Sequence, residues 1–291
     1  MNWKVALGGL AALLAYYRHR PGHALHELLH IPDHWYRCRQ VLPSGFSMRK
    51  LPYGDHPRQY FLLSVPPEGI GQQKLMVIFF HGGAWRFGQP EHFQAYAAFF
   101  AQRGYAVALP SYRRIPGARM KEMREDLRQL LPVVHKAIEE TGMDIGGLLV
   151  GGMSSGGHLA AHLALDATLQ HKALPVRAGL FFAAPLDLEA LPRSILRDAL
   201  AGKPGSAFFQ QANPIHLLDR PAPPAMLLVH GSSDGLVPQA CSSRFLARAR
   251  AVGTEDIQWI DLEGGTHLDA MSWVHRPNRL RRQVLDWLEG L

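Results

Sequence analysis

From Tyr60 onward, short continuous apolar runs alternate with longer stretches in which apolar residues recur every three or four positions. Runs of the first kind suit strands buried on both faces, and the second pattern suits amphipathic helices. The pattern predicts strands at 60–65, 75–80, 106–110, 147–151, 178–184, 225–230 and 257–262. It predicts helices at 91–102, 119–141, 155–168, 242–252 and 277–290. This alternation implies an α/β fold, a mostly parallel central sheet with helices on both faces. Ligands bind such sheets beyond the carboxyl ends of the strands. Pro132, inside the second predicted helix, implies a kink or break. Residues 186–224 are proline-rich and irregular, and their position between two strands marks them as a candidate cap insertion.

The first 45 residues follow a different pattern. Lys4 precedes an apolar run from Val5 to Ala15, closed by Tyr16-Tyr17-Arg18-His19-Arg20. The run is about half the ~20 residues needed to span a bilayer. A charged start and a short apolar stretch also fit a signal peptide, but no small-x-small cleavage site follows. The reading adopted is a retained helix that packs over the domain or lies in a membrane interface. The chain therefore divides into an N-terminal helical extension, 1–45, and a main domain, 46–291. Residues 1–20 are expected to be accessory, so that their deletion spares the core. His23, His26, His30 and His34 lie three, four and four apart, and the first three would share one helix face. Pro32 is expected to end that helix before His34. With no carboxylate or thiolate set beside them, these histidines are read as a helix surface and not as a metal site.

The chain has 291 residues, 47% hydrophobic and 19% charged, an ordinary globular composition. Cys38 and Cys241 are its only cysteines and imply no disulfide framework or zinc site. The formal net charge is +7. Part of the surplus lies at Arg113, Arg114, Arg119, Lys121, Arg124 and Arg128, and part at Arg276, Arg279, Arg281 and Arg282. Both groups fall in or beside helical patterns and read as solvated faces. No basic segment is interleaved with stacking aromatics, which argues against nucleic-acid binding. A cytoplasmic location is expected, with weak attraction to an anionic membrane surface and contact through residues 1–20. Oligomeric state is not legible.

The chemistry concentrates at strand ends. An apolar strand, Leu148-Leu149-Val150, runs into Gly151-Gly152-Met153-Ser154-Ser155-Gly156-Gly157-His158. A nucleophilic serine on a sharp strand-to-helix turn needs very small residues two before and two after it. Gly152 and Gly156 satisfy this for Ser154, whereas centring on Ser155 would put Met153 at a glycine position. Alone, the motif is a weak signal in a chain with 28 glycines. The other strand ends strengthen it. The 75–80 strand runs into His81-Gly82-Gly83-Ala84-Trp85, whose backbone N–H groups can face an oxyanion. The 225–230 strand ends in Gly231-Ser232-Ser233-Asp234, and the last strand leads to Gly264-Gly265-Thr266-His267. The order is oxyanion loop, serine, acid, histidine.

With these residues the chain resembles the α/β-hydrolases. Within them it is similar to the esterase/lipase branch of hormone-sensitive-lipase-like and feruloyl-esterase-like enzymes and kynurenine formamidases. The resemblance covers about residues 50–291 and includes Ser111-Tyr112-Arg113. It departs from the hormone-sensitive-lipase pattern at Ala84 and Met153, which favours the other two relatives. It implies Ser154 as nucleophile, His267 as base and Asp234 as the carboxylate that orients it. Backbone donors at Gly82, Gly83, Ala84 and Ser155 would form the oxyanion hole. Asp187, Asp219 and Asp261 are rivals for the acid, and His275 for the base. His81 and His158 read as structural. Trp85 and Phe87 read equally as acyl-pocket lining or as core packing. The expected activity is carboxylic-ester hydrolysis of a small molecule through an acyl-enzyme, without cofactor. The alternatives are formamide or amide hydrolysis on N-acyl aromatic amines, and a non-catalytic ligand-binding member of the fold.

Overall fold

The computed structural model describes residues 16–219 and 223–291. The apolar run Val5–Ala15, expected to be helical, lies outside the described residues. One 8-stranded sheet has the order β1-β2-β4-β3-β5-β6-β7-β8. Its strands are β1 (Arg49–Pro52), β2 (Tyr60–Ser64), β3 (Leu75–Phe80), β4 (Val107–Pro110), β5 (Gly147–Met153), β6 (Val176–Phe182), β7 (Ala225–Gly231) and β8 (Ile257–Leu262). β1 and β2 pair antiparallel, as do β2 and β4, and the remaining pairs are parallel. The helices are α1 (Ala24–Gln40), α2 (Gln94–Ala101), α3 (Met120–Glu139), α4 (Ser155–Leu165), α5 (Ile195–Ala201), α6 (Ala207–Ala212), α7 (Ala240–Ala251) and α8 (Arg279–Glu289).

Alternate strand residues serve two separate cores. Met76, Ile78, Phe80, Leu148 and Val150 pack with α3, α4 and α7. Val77, Phe79, Leu149 and Met153 pack with Cys38 of α1 and with α2 and α8. Burial on both faces is why these strands read as unbroken apolar runs. In α8, Leu280, Val284 and Trp287 bury one stripe. Burying an aliphatic side chain of this size contributes about 1.5–3 kcal/mol. Among the described residues, no helix is long and apolar enough to cross a membrane.

Several elements differ from the sequence reading. β1 carries Arg49-Lys50-Leu51-Pro52, with no apolar run to announce it. It is an edge strand, where charge and proline are tolerated because one side needs no ladder bonds. Pro32 does not end its helix, since α1 continues to Gln40. Pro132 likewise does not break α3. An interior proline costs about 3 kcal/mol in helix propensity. Tertiary packing overrides that cost: α1 buries His34 and Cys38 beyond Pro32, and α3 buries Leu131 and Val134 on either side of Pro132. Residues 186–219 also hold more regular structure than their prolines suggest. Ser194 caps α5 by accepting from Arg197 N at 3.2 Å, and Ser206 caps α6 by accepting from Phe209 N at 3.1 Å. Leu200 and Phe209 reach the α3/α4 core, so part of the candidate cap is built into the domain.

Candidate active site

Ser154 joins β5 to α4 with φ 51° and ψ −126°, a conformation that strains any residue bearing a Cβ. The turn is held by Ser154 N–H donating to Phe182 O at 2.9 Å. It needs glycine on both sides. A Cβ on Gly152 would lie 2.5 Å from the Gly156 carbonyl carbon, and one on Gly156 would lie 2.2 Å from Phe80 O. Ser155 is already helical and buried, whereas Ser154 is partly exposed. The strained turn therefore falls on Ser154.

The loop after β3 lies against this turn. A Cβ on Gly82 would sit 3.4 Å from the Ser154 Cβ. Gly83 O accepts from Arg86 N at 3.0 Å and Phe87 N at 2.7 Å, which curls the loop. Ala84 and Trp85 follow with φ 51° and 57°, both in the left-handed region that non-glycine residues rarely adopt. Buried side chains hold that strain. His81 Nδ1 is 2.9 Å from Gly82 O, and its ring stacks on Tyr112 at 4.6 Å. Burial pushes the His81 imidazole down to about 3, so it is neutral at ordinary pH. Tyr112 Oη donates to His81 O at 3.1 Å. Neighbouring Arg113 pairs at 2.7 Å with the buried Asp126. Trp85 is buried, and its indole N–H donates to His158 Nδ1 at 3.2 Å while His158 Nε2 donates to Ala212 O at 2.8 Å. Trp85 thus packs within the core on the α3/α4 side of the sheet. Phe87 is 59% exposed, with the Arg86 guanidinium near its ring.

The loops after β7 and β8 bring Asp234 and His267 together. A Cβ on Gly231 would collide with Gly265 O at 2.2 Å, so these loops pack backbone to backbone. His267 Nδ1 donates to Asp234 Oδ2 at 2.7 Å. Asp234 Oδ1 accepts from Leu236 N and Val237 N, both at 2.8 Å, and His230 Nε2 lies 3.3 Å from Oδ2. Burial alone would raise the Asp234 carboxyl. The charge of His267 and hydrogen bonds from His230 and His267 outweigh it and hold the group well below the usual carboxylate range. For His267, burial favours the neutral ring, but the charge and hydrogen bond of Asp234, with the charge of Glu27, carry its pKa above 6.5.

The rivals are engaged elsewhere. Asp187 pairs with Arg244 at 2.9 Å, Asp219 with Arg248 at 2.8 Å, and Asp261 accepts from Gln239 at 2.8 Å. His275 Nε2 lies 3.2 Å from His34 Nδ1. The first three histidines of the N-terminal series do not converge on one point. His23 caps α1 by accepting from Leu25 N at 3.2 Å, and the Nδ1 atoms of His26 and His30 lie 2.7 Å from the carbonyls of Arg18 and His26. Among the described residues, His34, Cys38 and His275 are the group whose donor atoms come within 4.8 Å of one another. That grouping was hidden from the sequence by the expectation that Pro32 separates His34 from the helix.

The model of the BD-FAE family matches residues 64–249, which span the loop after β3, Ser154 and Asp234. The chain belongs to this family. It is 27% identical over 241 residues to Esterase LipC of Mycobacterium tuberculosis, covering 75% of this chain and 59% of that protein. It is 28% identical over 245 residues to the isoprenylcysteine alpha-carbonyl methylesterase ICME of Arabidopsis thaliana, covering 76% of this chain and 56% of that protein. The chain thus spans less than two thirds of either relative. Among solved structures, Thermogutta terrifontis esterase 2 phosphonylated by sarin superposes with a TM-score of 0.68 at 21% identity, covering 85% of this chain and 95% of that one. That likeness establishes the α/β-hydrolase fold.

One residue at this BD-FAE site was missed by sequence reasoning. Glu27 of α1 is fully buried and accepts from His267 N at 2.9 Å and from Leu268 N at 3.4 Å. A signal was present. Glu27, Ile31, His34 and Cys38 follow the i, i+4, i+7, i+11 spacing of one helix face, and that face is the inner one at Glu27, His34 and Cys38.

Proposed function

We propose that the protein is a serine carboxylic-ester hydrolase with Ser154, His267 and Asp234 as its triad. The observation that carries this reading is the buried 2.7 Å contact of His267 with Asp234, after β7 and β8, at the same carboxyl end of the parallel sheet as the strained Ser154 turn after β5. In the first half-reaction Ser154 Oγ attacks the ester carbonyl carbon while its proton passes to His267 Nε2. Asp234 keeps the other ring nitrogen protonated and stabilises the imidazolium. The tetrahedral oxyanion is held by backbone N–H groups among Gly82, Gly83, Ala84 and Ser155, helped by the N-terminal dipole of α4. The C–O bond then breaks, His267 returns its proton to the leaving alcohol, and the acyl group stays on Ser154. In the second half a water attacks the acyl carbon, His267 takes its proton and gives it back to Ser154 Oγ, and the carboxylic acid leaves. Phe87, exposed on the oxyanion loop, supplies an apolar rim for the acyl group.

The esterase names of the curated relatives support a carboxylic ester over an amide as substrate. The test is a panel of aryl esters of increasing acyl length run beside N-formyl aromatic amines. Ester turnover well above formamide turnover is expected. Formamide hydrolysis without ester turnover would replace the reading with the formamidase one.

A further inference from the structure

The N-terminal helix is built into the catalytic end of the sheet at two points. Glu27 buries its carboxylate against the backbone N–H groups of His267 and Leu268. A few residues earlier, Gly22 and His23 press on the loop that carries Asp234. A Cβ on Gly235 would lie 2.7 Å from the His23 carbonyl carbon and 2.9 Å from the Gly22 carbonyl carbon. A Cβ on Gly22 would lie 3.3 Å from Ser233 O. The approach is therefore close enough to require glycine at Gly235. One short segment, 22–27, touches both the acid loop and the histidine loop.

A fully buried carboxylate is costly unless hydrogen bonds compensate it. Glu27 receives two backbone donors, one of them from the proposed catalytic base. The 2.9 Å bond from His267 N has the length of a charge-assisted bond and fixes the position of its donor, while the 3.4 Å bond from Leu268 N is the weaker of the two. Their direction fits the task. The peptide of His267 is held from α1 while its ring is held from Asp234, so backbone and side chain are located independently. We infer that Glu27 is a positioning residue for the proposed triad, supplied by the N-terminal helix, which fixes the backbone at His267 so that the imidazole stands between Asp234 and Ser154. This rests on the triad reading above.

The charge of Glu27 also acts on the ring. His267 is faced by Asp234, which His230 also contacts, and by Glu27 and His34 of α1, with His275 beyond His34 and Asp269 bonded to Thr266. Burial disfavours charge on His267, and Asp234 and then Glu27 favour it. Glu27→Gln keeps the size of the side chain but removes the charge and turns one of the two acceptors into a donor, so one of the backbone N–H groups of His267 and Leu268 loses its acceptor. Misplacement of a catalytic group by ~1 Å can cost on the order of 10²-fold, so turnover should fall ten- to a hundredfold with KM little changed. The acid limb of the pH profile should move to lower pH.

The test compares wild type, Glu27→Gln and Cys38→Ala, all full length. The readouts are kcat and KM on a small aryl acetate, the rate of serine labelling by a fluorophosphonate, both across pH 5 to 9, and thermal unfolding. Cys38→Ala loosens the same helix on the same face without touching His267. The expected result is slow labelling and a shifted limb in Glu27→Gln alone. Glu27→Gln with wild-type turnover and an unmoved limb overturns the proposal, and so does Cys38→Ala reproducing both changes. If Glu27→Gln does not fold, Glu27→Asp serves, since it keeps the charge on a shorter arm. It should lower turnover while retaining the limb, and unchanged turnover overturns the proposal. Wild type that takes no label at Ser154 overturns the triad reading itself.

Discussion

At the scale of single residues, His267 and Asp234 shift each other in opposite directions. Against burial, Asp234 raises the ring, and the ring with His230 lowers the carboxyl. In the proposed mechanism the neutral ring is the base, so activity should be lost as pH falls through the raised pKa of His267. The acid limb of kcat/KM is therefore expected above the ordinary histidine value of about 6.5. Asp234→Asn should leave the fold intact, lower turnover by about 10⁴ and favour the wrong tautomer. Kinetics of the variant across pH check both points, and a limb well below 6.5 in the wild type would count against the assignment. The strained turn at Ser154 and the pairing of Asp234 with His267 were legible because each residue follows a predicted strand and the glycine register excludes Ser155. The helix-face spacing signalled that Glu27 is buried, but not its partner, because it meets His267 across 240 positions of sequence and no local pattern encodes that contact.

At the scale of elements, the parallel strands were legible and the exceptions have physical reasons. Strands β3 to β7 bury both faces and announce themselves as apolar runs, whereas the edge strand β8 leaves Gln258 and Asp261 exposed. β1 is a polar edge, and α5 and α6 are single-digit helices whose serine caps are brief signals among prolines. Pro32 and Pro132 misled because propensity is local and packing is not. The greatest change concerns α1, which the boundary at residue 45 assigned to an extension. Trp35 stacks on His92 at 4.1 Å, His34 meets His275, and Cys38 joins the core that α2 and α8 share. Deleting residues 1–40 should therefore lower thermal stability and abolish most ester turnover, where an accessory extension would be dispensable. Turnover and melting temperature equal to the full-length protein would show that α1 is dispensable after all.

At the scale of the whole molecule, the sheet order makes the site. β3, β5, β6, β7 and β8 are consecutive neighbours, so the loops that follow four of them gather at one end. Residues separated by more than 180 positions, from Gly82 to His267, are brought to the end of one sheet. The fold and the order of the candidate residues along the chain were readable because both follow from where the apolar runs stop. Acyl preference was not, because it depends on which side chains from distant segments line the pocket, and no local pattern encodes that. The measurement that bears most directly on the proposed activity is fluorophosphonate labelling of the native protein, followed by peptide mapping and repeated on Ser154→Ala and Ser155→Ala. A single label on Ser154 is expected, lost in Ser154→Ala together with turnover by a factor on the order of 10⁵–10⁶, and kept in Ser155→Ala. Label recovered on Ser155, or ester turnover that survives in Ser154→Ala, would contradict the account.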